Sequence, residues 1–368
     1  MPSQSGATIT DLNVYVNITH TYVSDLRLIL TSPTGTVLNL IGAGVCTNQD
    51  NINVEFDQTG ANGAVGSICP LNNLFVIPTA SLAAFNGQLF QGTWTLAVQD
   101  VATIDVGTLN SWCLMPALSF PSVRVSPKVF LEGPYSTGTG LMGDALRSAG
   151  LIPLAEPYAG LGYAHTGGGG GETVSAGILG TTGNNAIVDW VLVELRNPLN
   201  STQVLATRSA LLQRDGDVVD VDGTSGVLFN GRPPGTYFVT VRHRNHLGVM
   251  TASAVALAGT TSTVDLTVAG TAVYGTEARK TVGSVQLFWA GDANFNRQLK
   301  YTGASNDRDP ILTRIGGVIP TNTVSGYFLE DVTMSGVVQY VGTGNDRDPI
   351  LVNIGGSVPT ALRNEQLP

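Results

Sequence analysis

A chain of 368 residues is long enough for two or three domains, and 43% apolar residues let each of them bury a core. Charged residues make up only 12% and the net charge is −9, with Lys and Arg scattered, which argues against nucleic-acid and anionic-membrane partners. The 45 glycines, among many Thr, Val, Asn and Ser, are the mix of short strands joined by tight turns, so a mainly β, extracellular and non-enzymatic protein is predicted.

No apolar run reaches the ~18 residues needed to span a bilayer. Met1 is followed by Pro2-Ser3-Gln4-Ser5-Gly6, with neither a charged nor an apolar region. No secretory leader is therefore predicted, and export would need a start upstream of Met1 or another device. Cys46 and Cys69 flank the polar loop Thr47 to Ile68, and a disulfide between them would close it. Cys113, in the strand-like Leu109 to Leu114, reads as a small buried thiol.

Residues 1–118 read as a β-sandwich. Leu12, Val14, Val16 and Ile18 alternate with polar neighbours, the period of a half-buried strand, and Trp94, Leu96 and Val98 do the same. Ser32-Pro33-Thr34-Gly35 and Asn86-Gly87 are turn signals. The motifs Thr19-His20-Thr21-Tyr22-Val23-Ser24-Asp25-Leu26, Leu30-Thr31-Ser32-Pro33-Thr34-Gly35, Cys46 to Ile52, Gly92-Thr93-Trp94 and Gly107 to Trp112 come in the order found in the P domain (P/Homo B domain). This region resembles that domain, which follows the catalytic domain in kexin-like and furin-like subtilases. The resemblance implies a jelly roll, and with it an accessory role beside a protease. Such domains usually open with another strand before Ile9-Thr10-Asp11. Only Met1 to Ala7 are left for it here, so it is expected to be missing or truncated, leaving a sheet edge open.

Residues 119–128, with three prolines between Pro116 and Pro127, read as a linker. Residues 129–275 read as a second sandwich. Asp189 to Leu195 is apolar on both faces and so central, with further strands at Thr236 to Arg244 and Val264 to Val268. Arg232-Pro233-Pro234-Gly235 turning into a strand resembles prealbumin-like, Ig-like or Cna-B-like sandwiches. Asp144 to Gly150 reads as one short helix with Asp144 as N-cap, and Gly167 to Gly171 as a flexible loop. Val129 to Tyr135, Leu211 to Asp217 and Arg242 to Gly248 are similar to a module near the C-termini of secreted, type IX-exported bacterial proteins. That likeness implies the cell surface of a Gram-negative bacterium.

Residues 283–368 carry an internal repeat. Gly303 to Leu312 recurs as Gly342 to Leu351, both copies sharing Asn-Asp-Arg-Asp-Pro-Ile-Leu and continuing to Ile-Gly-Gly and Pro-Thr. Upstream lie Asp292, Asn294 and Asn296 in one copy, and Asp331, Thr333 and Ser335 in the other. Calcium takes six to eight oxygens, and alternate oxygen-bearing side chains can face one centre. Gln298 or Val337 would add a carbonyl, and the loop would close with Asp307 or Asp309, or with Asp346 or Asp348. The pattern resembles a dockerin-type tandem calcium loop with a lengthened closing segment and short helices. Thr333 and Ser335 are weaker ligands than Asn294 and Asn296, so the second site is expected to bind less tightly. The alternative is a pair of Asx-turn and N-cap loops without metal.

None of His20, His165, His243 and His246 sits in a metal-protease motif, and neither a nucleophile elbow nor a phosphate loop occurs. His243 reads as a core residue and His20 as a structural hydrogen-bonder. Asp25, Asp100 and Asp105 read as either a further cation site or strand-end residues. The expected function is a calcium-stabilised structural or adhesive surface protein that self-assembles into fibres or joins other surface proteins. Its alternatives are the accessory tail of a subtilisin-like protease and a carbohydrate-binding module, the latter without an aromatic platform to point to.

Overall fold

The computed structural model describes residues 6–368, and the chain is mainly β, with short helices. It divides into two compact units, Met1–Pro121 and Ser122–Pro368.

In the first unit, strands β1 (Thr8–His20), β4 (Ile52–Phe56), β5 (Asn72–Val76) and β7 (Gly107–Ser119) form one sheet in the order β5-β4-β1-β7. Strands β2 (Leu26–Thr31), β3 (Val37–Ile41) and β6 (Thr95–Asp100) form the other, in the order β3-β2-β6. The alternation in the sequence decides which side chains meet between the sheets: Leu12, Val14, Val16 and Ile18 of β1 are buried, as are Leu26, Leu28 and Leu30 of β2. The inward residues of β6 and β7, Leu96, Val98, Trp112 and Leu114, are only half-buried. Each of these two strands has one hydrogen-bonded neighbour among the described residues, so nothing flanks its outer edge there. The expected missing opening strand falls largely on residues 1–5, outside the described residues. Ala7 and Ile9 accept main-chain hydrogen bonds from Phe90 and Gly87.

Cys46 and Cys69 are bridged, with Cα atoms 5.6 Å apart. Cys113 departs from expectation: it is exposed. Trp112 and Leu114 turn toward the core, and a period of two sends the residue between them outward.

The second unit begins with a strand where a linker was expected. Strand β8 (Ser122–Lys128) alternates, burying Val123 and Val125, and pairs antiparallel with Val227–Asn230 and parallel with Thr261–Asp265. Its proline is tolerated because the antiparallel partner reaches only from Ser122 to Val125, short of Pro127. The larger sheet is centred on Ile187–Asn197, buried along nearly its whole length between Asn200–Gln213 and Gly235–Arg242. Helices α1 (Ala145–Ser148) and α2 (Ala176–Leu179) are single turns. Asp144 precedes α1 without a capping bond, because its carboxylate is held by Arg147 and Arg214.

The glycine run, expected to be flexible, lies mostly exposed but passes close against a strand at Gly167 and Gly169. A Cβ on Gly169 would stand 2.0 Å from the Thr207 carbonyl oxygen, so the close approach to Asn200–Gln213 excludes any other residue. The second sandwich and the C-terminal repeat lie within one unit, and Leu287 and Phe288 belong to the main core of that unit.

Candidate metal centre

Each copy of the C-terminal repeat contains a turn, a short strand, a helix and a second short strand, and corresponding residues are 39 apart (331 − 292, 346 − 307). Helices α3 (Arg308–Arg314) and α4 (Arg347–Asn353) begin two residues before Pro310 and Pro349, rather than at the prolines. Gly316 and Gly355, at φ +106° and +114°, end them in a backbone conformation that favours glycine. The second strand of each copy pairs with the first strand of the other: Thr323–Ser325 with Val337–Gln339, and Leu362–Asn364 with Gln298–Lys300. The copies therefore complete each other's sheets, around a small core of Ala293, Ile311, Ile315, Val332, Val338 and Ile350.

In the first loop, Asp292 is buried, and its two oxygens accept the amides of Asn296 (2.9 Å) and Arg297 (2.8 Å). Asp307 comes from the start of α3 and is fully buried. Its Oδ2 accepts the Lys300 amide at 2.8 Å, whereas its Oδ1 is buried and makes no hydrogen bond of normal geometry, although the amides of Ala293 and Asn294 face the carboxylate. Burial pushes Asp307 up to about 8, helped by the Asp292 charge, and burial pushes Asp292 up to about 7. Two carboxylates facing this cost, one with an orphaned oxygen, fit a bound cation. Asn294 and Asn296 accept the amides of Asn296 and Gln298 and donate to the Ser305 carbonyl, so they order the rim of the loop. Gln298 lies in the strand that pairs with Leu362–Asn364.

The second loop repeats the backbone but not the deficit. Asp331 accepts the amides of Ser335 and Gly336, and Asp346 accepts those of Thr333 and Gln339. The Thr333 hydroxyl lies between the two carboxylates, 2.8 Å from Asp346 Oδ1 and 3.3 Å from Asp331 Oδ1. The Ser335 hydroxyl lies 3.4 Å from Asp331, and Val337 begins a strand. Burial, then the Asp331 charge, pushes Asp346 up to about 7; burial also raises Asp331, against the pull of Arg244.

Of the two candidate closing carboxylates in each copy, Asp307 and Asp346 turn inward, while Asp309 and Asp348 turn out. The latter are 58% and 57% exposed at the side chain and pair with Arg308 and Arg347. Among the described residues no three His, Cys, Asp or Glu side chains gather as a metal group, so a cation in either loop would draw its remaining oxygens from Asn, Thr, Ser or the main chain.

Reading the sequence missed the residues that brace both loops. The Asn245 side chain donates to the carbonyls of Asp331 (2.7 Å) and Leu329 (3.0 Å), and its main-chain carbonyl accepts the amides of Gly291 and Asp292. Its neighbours form a buried network. Asp189 takes His243 at 3.1 Å, Arg244 at 2.8 Å and the Tyr327 hydroxyl at 2.6 Å. Burial alone would raise Asp189; Arg244, His243 and Tyr327 outweigh it and hold it at about 2. His246 Nε2 accepts the Gly133 amide, which leaves its Nδ1 proton for Asn245. In the sequence the run Arg242 to Gly248 carries a likeness, and within it only His243 has a role, that of a core residue, which its burial matches.

Of the acidic residues expected at the strand ends of the first unit, Asp25 is raised from its ordinary value by burial and by the neighbouring Asp105 and Asp100. His20 contacts the Tyr22 carbonyl at 2.9 Å and Asp100 at 3.3 Å, and Asp105 accepts from Thr21.

Residues 9–116 match the family model described as the proprotein convertase P-domain. The chain is 32% identical over 112 residues to the "Transglutaminase-activating metalloprotease" of Streptomyces mobaraensis, covering 30% of this chain and 11% of that protein. No solved structure matches the chain. Over residues 9–116, then, the first unit carries a P domain, a non-catalytic accessory module.

Proposed function

We propose that this chain is a secreted, non-catalytic protein whose second unit is stiffened by calcium, and that it serves a structural or adhesive role at a bacterial surface. The observation that carries the calcium reading is the buried Asp307, with one oxygen unpartnered beside the Asp292 charge. Asp292 and Asp307 would hold the ion in the first loop, with oxygens from Asn294 and Asn296, and Asp331, Thr333, Ser335 and Asp346 would hold a weaker one in the second. Bound calcium supplies the positive charge that lets both carboxylates ionise without water. The chain contributes a dockerin-like pair of loops already braced by Asn245. The disulfide and the P domain support secretion.

A second reading, an accessory region beside a secreted protease, is favoured by the P-domain match and by the protease named among the similar proteins. That relative is a metalloprotease, so the resemblance does not single out a serine protease. Self-assembly rests on the free edges of β6 and β7, where another strand could add.

Calorimetric titration of the purified chain with calcium tests the first reading: tight binding with a raised melting transition is expected, and no heat and no shift would refute it. A monodisperse monomer at high concentration in calcium would refute self-assembly. Turnover of a peptide, ester or glycan that survives repurification would refute the non-catalytic reading.

A further inference from the structure

One partly buried contact places an amine, a carboxamide and a carboxylate together in a way that neither the calcium loops nor the P domain uses. Asn353, the last residue of α4, is 1% exposed. Its Nδ2 donates to Glu132 Oε2 at 2.6 Å and to the Ala290 carbonyl at 2.8 Å, which fixes the plane of the amide. Its Oδ1 accepts from Lys280 Nζ at 2.8 Å. Lys280 Nζ also donates to Glu132 Oε1. One carboxylate thus touches both nitrogens, one oxygen on each. Glu132 is itself held, its Oε2 taking the Ala290 amide at 3.0 Å. The Trp289 ring, 5.4 Å from Lys280 Nζ, covers the amine and carries the Arg363 guanidinium against it at 3.8 Å.

We propose that Lys280 and Asn353 join in an intramolecular isopeptide bond, with Glu132 as the catalytic proton carrier. The Lys280 ammonium gives one proton to Glu132, and the neutral Nζ, already in contact with the Asn353 carboxamide, adds to Asn353 Cγ. The Nζ–Cγ bond forms and the Cγ–Nδ2 bond breaks. Glu132 gives the proton it holds to Nδ2 and takes the second proton from Nζ. Nδ2 leaves as ammonia, which takes that proton from Glu132, so ammonium departs and the carboxylate is restored. Nothing is oxidised or reduced, and no cofactor is needed. Holding the three groups in hydrogen-bond contact supplies the effective concentration that such a slow reaction needs.

The bond would tie Lys280, in the strand Lys280–Val282 beside the main core, to the helix of the second repeat copy. The residue matching Asn353 in the first copy is Arg314 (353 − 39), which pairs with Glu330, so one copy alone is linked.

The mass of the intact, folded chain tests this directly. The wild type should be lighter than its disulfide-bonded sequence by one ammonia, and digestion should release one branched peptide joining Lys280 to Asn353. Lys280→Arg keeps a cation beside Glu132 and should have the full expected mass, and Glu132→Gln should be unlinked or linked far more slowly. A wild type of full mass overturns the proposal, leaving a hydrogen-bonded cluster. So does a loss of ammonia without the branched peptide, which would be succinimide formation at an asparagine. Linkage in Glu132→Gln at the wild-type rate would remove Glu132 from the mechanism.

Discussion

Replacing Asp307 with asparagine separates a calcium ligand from an ordinary buried acceptor, because the two roles predict opposite signs in the absence of metal. Burial and the Asp292 charge raise Asp307 from 3.8 to about 8. A carboxyl whose folded value is raised contributes stability that is fully present below its unfolded value and lost as pH rises through its folded value. At pH 7 the difference amounts to roughly 4 kcal/mol, at 1.36 kcal/mol per unit. Asp292, raised to about 7, has a similar cost, and the two are not additive, since the charge of one is a cause of the other's shift. The substituted side chain carries no charge and its oxygen can still take the Lys300 amide, while its nitrogen meets the amides of Ala293 and Asn294, which offsets part of the gain.

In chelator at pH 8, Asp307→Asn should therefore be more stable than wild type, by about 2–4 kcal/mol after allowing for relaxation. At about 2–4 °C per kcal/mol for a unit of this size, the shift is readily seen by scanning calorimetry. In calcium the order should invert. The wild type gains about 2.7 kcal/mol when free calcium is a hundredfold above its dissociation constant, and the variant gains little. Asp292→Ala should remove most of the calcium response, whereas Asp331→Ala should remove less of it, since the Thr333 hydroxyl already stands between the carboxylates of the second loop. A variant less stable than wild type in chelator and calcium alike would show that Asp307 is only a hydrogen-bond acceptor, and the metal reading would fall.

Without calcium, the second unit should lose stability steadily between about pH 4 and pH 8 as Asp292, Asp307 and Asp346 are forced to ionise, and melting scans across that range should show it. On the acid side, the contribution of Asp189, held at about 2, should be present above its unfolded value and lost as pH falls toward 2. Glu365→Ala removes one partner of Arg242, which also takes Glu194, and should cost about 3 kcal/mol in denaturant unfolding. Cys46→Ser opens a loop with a sequence separation of 23 and should cost roughly 3 kcal/mol in the unfolding of the first unit; in the wild type, alkylation without reduction should label Cys113 alone.

The parts legible in the sequence were those where a local period decides the structure. Alternation in Leu12 to Ile18 put β1 in the core of its sandwich, and the doubly apolar run at 189–195 became the central strand of its sheet. The same rule, applied to Trp112 and Leu114, turns Cys113 outward, and its position in the strand outweighs the small size of the thiol. At residues 122–128 the alternation of Val123 and Val125 makes a strand in spite of the prolines that suggest a linker.

In the repeat, sequence spacing left two carboxylates equivalent in each copy, and only the start of the helix decides between them. A helix that begins at Arg308 sets Asp307 at its boundary, facing the loop, and leaves Asp309 further round, where Arg308 and Asn306 hold it in solvent.

What no periodicity could show is how the repeat is attached. Asn245, Asn353 and Glu365 are polar residues in unremarkable runs, and each satisfies backbone or charged groups more than sixty positions away in sequence. A short loop module has too little core of its own to hold two buried carboxylates apart, and it takes the missing order from the sandwich. The main-chain carbonyl of Asn245 holds the start of the first loop and its side chain holds the start of the second, so an ion that rigidifies either loop acts on the same residue. Asn245→Ala should therefore lower calcium affinity although Asn245 itself provides no ligand, and it should do so in both loops together. Equal calcium binding by this variant and the wild type, with the variant still folded by circular dichroism, would show that the loops are organised by their own hydrogen bonds alone.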